Sequence, residues 1–131
     1  MKQKQFFEQF CNGCLNLPQH TSEFNTLEWH KHPIFEGVDL KHIVTSHHSH
    51  GEFSFHLVRI SPHKKIGLHC HEKQLETHEV IAGSGVCLLA DSTEIKYVQG
   101  TVAILPKSIA HEIIAKEDGL YLFAKFFPAL C

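Results

Sequence analysis

From Gly37 onward the chain alternates apolar and polar positions in short runs separated by turn residues. "VDLKHIV" leads into the polar link "TSHHSHGE". "FSFHLVRI" follows, rich in aromatic and β-branched side chains, and Ser61-Pro62 stops it. A short segment around "IGLHCH" precedes "THEVIA", which ends at "GSG", and "VCLLA", which turns at "DST". "EIKYV" stops at Gly100, "TVAIL" at Pro106, and "HEIIA" at the turn "KEDG"; "LYLFAKFF" closes at Pro128. Many short strands with Gly, Pro and Asp between them predict an all-β sandwich or small barrel. The preceding stretch has a different period. Phe6, Phe7, Phe10 and Cys11 fall at helical spacing and Asn12-Gly13 stops them, while "NLPQHTSEFNT" reads as loop. The expected organisation is an N-terminal arm with a short helix over 1–35 and a barrel over 36–131.

With 131 residues the chain is long enough for a core of its own, and 43% hydrophobic with 20% charged residues is ordinary for a globular domain. The formal charge of −2 and the lack of a basic run argue against a nucleic-acid partner. No apolar stretch is long enough for a membrane helix, and the first residues lack the pattern of a secretory signal, so no membrane partner and a cytoplasmic location are expected. Five cysteines fit that expectation, since a secreted disulfide scaffold would pair them all. The anomaly is histidine, 13 of it.

The histidines concentrate in "HCHEKQLETHEV". Side chains alternate across a strand, so His69 and His71 share a face and Cys70 takes the other. Glu76 lies past a short turn at the start of a strand that can return beside those imidazoles, and His111 begins another. Three imidazoles and a carboxylate suit a first-row divalent ion such as Fe, Mn, Ni, Co or Zn. Taken alone, His-x-His is better read as a pair of exposed strand-end residues.

The wider spacing resembles the two motifs of the cupin superfamily. His69-x-His71, four residues, Glu76, six residues and Gly83 match the first motif; Gly100, five residues, Pro106 and then His111 match most of the second. The resemblance spans about Val38 to Phe127. It implies a double-stranded β-helix (jelly-roll barrel) holding one divalent transition metal (Fe, Mn, Ni or Zn) on His69, His71, Glu76 and His111, with two positions open to water or substrate. His63 and Ser108 stand where the pattern has glycine, and Ala115 where it has asparagine. Those departures bear on loop conformation rather than on the ligands. By the same resemblance a homodimer is expected.

Other groups are weaker pocket candidates. His78 shares the parity of Glu76 and reads either as an acid–base group or as a core histidine bonded to a carbonyl. His56 faces away from Phe53, Phe55 and Leu57, and so toward a pocket on the other side. Tyr121 is a third candidate donor. Arg59, the single arginine, has the parity of Phe55 and Leu57. His47, His48 and His50 read as a solvated link, and His30 and His32, which lack a following Glu, as surface. Cys11 and Cys14 have neither a second Cys-x-x-Cys to complete a zinc site nor a βαβ context, and read as small apolar residues. Cys70 and Cys87 are expected between strands and Cys131 free.

The resemblance is compatible with several functions, because fold does not dictate reaction. A small metalloenzyme acting on a small oxygen-bearing metabolite fits the open ligand set, with a dioxygenase favoured and an isomerase or lyase as alternatives. A non-catalytic metabolite-binding or sensor protein is the reading from another class. Metal buffering by the histidine clusters is a third, and it requires several ions per chain.

Overall fold

A computed structural model describes residues 2–131. Helix α1 (Lys2–Cys11) is followed by strands β1 (Cys14–Leu17), β2 (His20–Glu23), β3 (His30–Lys31) and β4 (Val38–Val44), a one-turn helix α2 (Ser46–Ser49), and strands β5 (Ser54–Ile60), β6 (Lys65–His69), β7 (Leu75–Leu89), β8 (Glu94–Val98), β9 (Val102–Leu105) and β10 (His111–Phe127). The architecture is the all-β jelly roll with a short N-terminal helix. "NLPQHTSEFNT" is not loop: β1 and β2 pair as a hairpin across Pro18-Gln19, and a 3-10 turn at Phe24–Thr26 follows. No helix among the described residues is long and apolar enough to cross a membrane.

The main difference from the sequence reading lies in the two longest strands. "GSG" and "KEDG" are not turns between strands but bends within β7 and β10, which pair along most of their lengths. Their partners change at the bends. The second half of β10 pairs with β5 and the first half of β7, whereas its first half pairs with β6 and the second half of β7. Each strand therefore runs through both layers of the barrel. The bends also reverse the alternation: in β10, His111, Ile113 and Ala115 are buried before the bend, and Leu120, Leu122, Ala124 and Phe126 after it. An inserted stretch between Ala115 and Leu120 shifts the register and so exchanges the faces.

Two cores result. The barrel interior is packed by Val38, Val58, Ile60, Val80, Leu105, Ile113, Leu120 and Leu122 with Tyr97. A second lies on the outer face of β5 and β10, where Phe7 of α1, Phe24, Trp29, Leu57 and Phe123 meet. The chain itself covers the apolar face of α1 only in part: Phe7 is buried against Trp29 and Tyr121, Phe10 touches Phe24 and Phe123 but stays 39% exposed, and Phe6 is 56% exposed. Both faces of β5 are covered, which is why "FSFHLVRI" is apolar at both parities.

His63 and Ser108, which occupy glycine positions of the motif pattern, have φ of 63° and 65°. The chain keeps the left-handed backbone of the glycine pattern and carries its strain on side-chain-bearing residues, at a cost of about 1–3 kcal/mol each.

Candidate metal centre

His69 ends β6, His71 follows in the next turn, Glu76 is the second residue of β7, and His111 opens β10 directly opposite His69 in register. The imidazoles of His69 and His111 come from one layer and Glu76 from the other, so the groups meet across the barrel. Ligand atoms of His69, His71 and Glu76 lie within 4.8 Å of one another. His111 Nε2 is 3.3 Å and His71 Nε2 3.7 Å from Glu76 Oε1.

The imidazoles are set for ligation by their other nitrogens. His69 Nδ1 donates to Gly67 O at 2.7 Å and His111 Nδ1 to Ile109 O at 2.9 Å. A carbonyl only accepts, so in the neutral rings both Nε2 atoms present lone pairs to the centre. Glu76 is fixed in the same manner. His78 Nε2 donates to Glu76 Oε2 at 2.6 Å, and His78 Nδ1 accepts from the Tyr97 hydroxyl at 2.8 Å. Burial raises the Tyr97 phenol far above its ordinary pKa, which keeps it a donor.

Of the three buried side-chain atoms without hydrogen-bond partners among the described residues, two belong to this centre, Glu76 Oε1 and His111 Nε2. They are buried and 3.3 Å apart, but not aligned for a hydrogen bond with one another. Unsatisfied buried polar atoms are costly and need a partner, and a cation between them supplies it. Burial acts to raise the Glu76 pKa, but the imidazoles of His78 and His111 outweigh it and hold the carboxyl well below the usual range. Burial pushes the pKa of His69 and of His71 down, toward the neutral form a metal needs. At His111 burial is outweighed by the Glu76 carboxylate and the Ile109 carbonyl, which hold its pKa up, so a metal there displaces a proton. The donor set, three nitrogens and one oxygen with the remaining directions facing a cavity, fits a first-row divalent ion.

That cavity holds about 570 Å³. Its walls are Phe35, Leu40, Val58, Ile66, Leu122 and Phe126, and its mouth carries the exposed side chains Ile34, Leu68 and Leu130. Among the described residues no lysine or arginine lines it. His56 and His78 both line it, and each is 1% exposed. His32 lines it as well and is half-buried, not a surface residue, with its Nδ1 accepting from the backbone of Ile34 and Phe35.

Tyr121 lies elsewhere. It lines a larger cavity of about 750 Å³ beneath α1, with its ring 4.9 Å from that of Phe7. Carrying the phase of His111 along β10 would turn Tyr121 inward; the bend reverses it. Arg59 opens to the same outer cavity, bonded to Asp39 at 2.9 Å with its guanidinium 4.0 Å over Trp29. Cys70 is exposed rather than buried between strands and lines the cavity rim beside His69 and His71, while Cys87 is buried. Cys11 is half-buried against the second core, and Cys14 is exposed. His47, His48 and His50 lie in the link between the antiparallel strands β4 and β5, which coils into the α2 turn, and His47 and His50 are exposed there. There His48 Nδ1 accepts from the Thr45 backbone N–H at 3.0 Å. Two participants carried no sequence signal: Tyr97 in "EIKYV", and His42, whose Nδ1 is 2.7 Å from that of His56.

No protein-family model matches the sequence, and no curated protein matches it. Solved structures do match. An RmlC-like cupin from Shewanella frigidimarina superposes with a TM-score of 0.71 at 16% identity, over 88% of this chain and 96% of that one. KdgF from Halomonas sp. gives 0.69 at 16%, over 79% and 90%. Oxalate decarboxylase from Bacillus subtilis, a protein with Mn(II) centres, gives 0.71 at 17%, over 89% of this chain but 31% of that one. The fold is that of the cupins.

Proposed function

We propose that this cupin-fold protein is a mononuclear metalloenzyme that holds a divalent transition metal on His69, His71, Glu76 and His111 and acts on a small oxygen-bearing metabolite with an apolar body. The observation that carries the reading is the convergence of these groups at the cavity, with Glu76 Oε1 and His111 Nε2 buried, close and unsatisfied. A metal there would supply Lewis-acid polarisation of a substrate oxygen or redox chemistry with dioxygen. The chain's own part is to orient the ligands, exclude water with an aromatic and aliphatic wall, and admit a substrate past Ile34, Leu68 and Leu130. With no lysine or arginine on the walls, a dianion such as oxalate would find no countercharge from the chain. A neutral or singly charged substrate suits the walls better. Beyond the four ligand groups, His56 and His78 are the acid–base side chains buried in the cavity, and each is already bonded at both nitrogens. So sparse a set favours chemistry centred on the metal, with a dioxygenase ahead of an isomerase or lyase.

The test is elemental analysis of untagged protein purified without added metal, beside a His69→Ala/His111→Ala variant. The wild type should carry an equivalent of metal that the variant lacks. Iron, nickel or manganese would direct substrate screening to oxygen uptake, and zinc to isomerase and lyase reactions. An intact fold with equal metal content in both proteins would overturn the enzyme reading and leave a metabolite-binding or sensor protein.

We also propose a homodimer, formed over β9. Val102 and Ile104 are 65% and 63% exposed on its outer face. Among the described residues β9 is paired on one side alone, with β7, so its free edge and apolar face suit a second copy. Light scattering should give twice the chain mass, falling to one for Val102→Glu/Ile104→Glu; a wild-type monomer at micromolar concentration would rule the dimer out.

A further inference from the structure

Outside the four-ligand centre, His42, His56 and Cys131 bring two imidazoles and a thiol together with ligand atoms all within 4.8 Å. The β4–β5 register places His42 opposite His56, and the Nδ1 atoms are 2.7 Å apart. A contact of that kind between neutral rings is one N–H···N hydrogen bond, so the accepting Nδ1 is already deprotonated and the donor ring has only to shift its proton to Nε2 for both Nδ1 atoms to ligate.

Neither His56 nor Cys131 is there by loose contact. Ser54 Oγ lies 2.8 Å from His56 Nε2 and accepts the Leu130 backbone N–H at 2.8 Å, so one hydroxyl ties the ring to the segment that carries Cys131. That segment is bound on both sides of Leu130. Ala129 N donates to Gly51 O at 3.1 Å, and Cys131 O accepts from Ser46 N at 2.7 Å. His30 stacks on His42 with centroids 5.2 Å apart and limits its swing.

We propose that His42, His56 and Cys131 form a second metal site, for a thiophilic ion of the zinc class. Two imidazoles and a thiolate with one direction open to solvent match the nitrogen and sulfur preference of such an ion and its tetrahedral geometry. The four-ligand centre has no sulfur. In the loaded site His56 donates Nε2–H to Ser54 Oγ, whose two lone pairs take this bond and that of Leu130 N–H, and its Nδ1 is free to ligate. Two metal–nitrogen bonds of about 2.0–2.1 Å at a tetrahedral angle span roughly 3.3 Å, so the rings part by about 0.6 Å from their present contact. The half-buried His42, on the outer strand of the pair, makes that movement. Cys131 loses its thiol proton to solvent on binding.

The site has a consequence for the cavity. His56 and Leu130 both line it, so an ion at this position fixes one wall and part of the mouth of the pocket that faces the four-ligand centre.

Cobalt(II) is the probe, as a spectroscopic substitute for zinc, added to the reduced full chain. A thiolate-to-cobalt charge-transfer band in the near ultraviolet arises only from cysteine ligation, so the nitrogen–oxygen centre does not contribute to it. The band should appear in the wild type, be lost in Cys131→Ser and in His42→Gln, be bleached by zinc, and persist in His69→Ala/His71→Ala and in Cys70→Ser. Cys131 is exposed, so its substitution does not threaten folding. Absence of the band from the wild type, or its survival in Cys131→Ser, would overturn the second site. So would its loss with His69 and His71 or with Cys70, which would assign the sulfur to Cys70 beside the first centre. The persistence arm separates the two sites: failure of either leaves the other standing.

Discussion

Glu76→Gln is expected to weaken metal binding by more than about 100-fold while leaving the barrel folded. The bound is set by comparison. Loss of a group that orients a ligand costs about 10–100-fold in affinity, and loss of the charged ligand itself must exceed that. The substitution keeps the volume of the side chain but removes the one negative charge at the centre, and its amide would turn either a donor toward the metal position or a donor toward His78 Nε2. His78→Gln supplies the lesser case, since His78 touches the carboxylate at 2.6 Å and would act on the metal through it. It should cost about 10–100-fold alone and nothing further in the Glu76→Gln background, because its target is then gone. Chelator competition for the four proteins gives the cycle. Wild-type affinity in Glu76→Gln would remove the carboxylate from the centre, and additive effects of the two substitutions would remove His78 as its positioning residue.

The parts of this site that were legible in the sequence are those fixed by local parity. His69 and His71 stand two apart where β6 runs into its turn, Glu76 and His78 two apart on β7, and His56 opposite in parity to Phe55 and Leu57; each relation is local and follows the alternation of an extended chain. His111 needed the spacing of a second motif, because nothing local links it to residues forty positions earlier. His42 and Tyr97 were not legible at all. Their contacts with His56 and His78 depend on cross-strand register and on barrel closure, neither of which leaves a mark in the neighbouring residues. Tyr121, a candidate donor with no parity argument behind it, lines the outer cavity instead. Parity is reliable only while a strand stays in phase, and the stretch Lys116–Gly119 shifts β10 out of it. The same effect made two bent strands read as four short ones.

That phase reversal depends on one close approach, and Gly83→Ala is expected to destabilise the protein by about 4 kcal/mol or more. Gly83 has φ of 84°, and a Cβ there would stand 2.1 Å from Gly119 O, 2.9 Å from Gly119 C and 3.1 Å from Leu120 Cα. All three obstacles are backbone of the facing strand. No side chain can rotate away, so relief requires β7 and β10 to separate where they bend past one another. Gly100→Ala isolates the conformational part of the cost. Gly100 has φ of 92° with nothing within 4 Å of its Cβ position, so it should lose only the 1–3 kcal/mol, roughly, of placing a side-chain-bearing residue in the left-handed region. Urea unfolding of both variants measures the difference. The metal centre should register it too, since Glu76 and His111 lie on these two strands on opposite sides of the crossing; any Gly83→Ala protein that folds should bind metal more weakly, whereas Gly100→Ala should bind as the wild type does. Equal stability losses in the two variants would mean that the strands do not approach this closely, and the coupling of the barrel's two layers through Gly83 would fail with it.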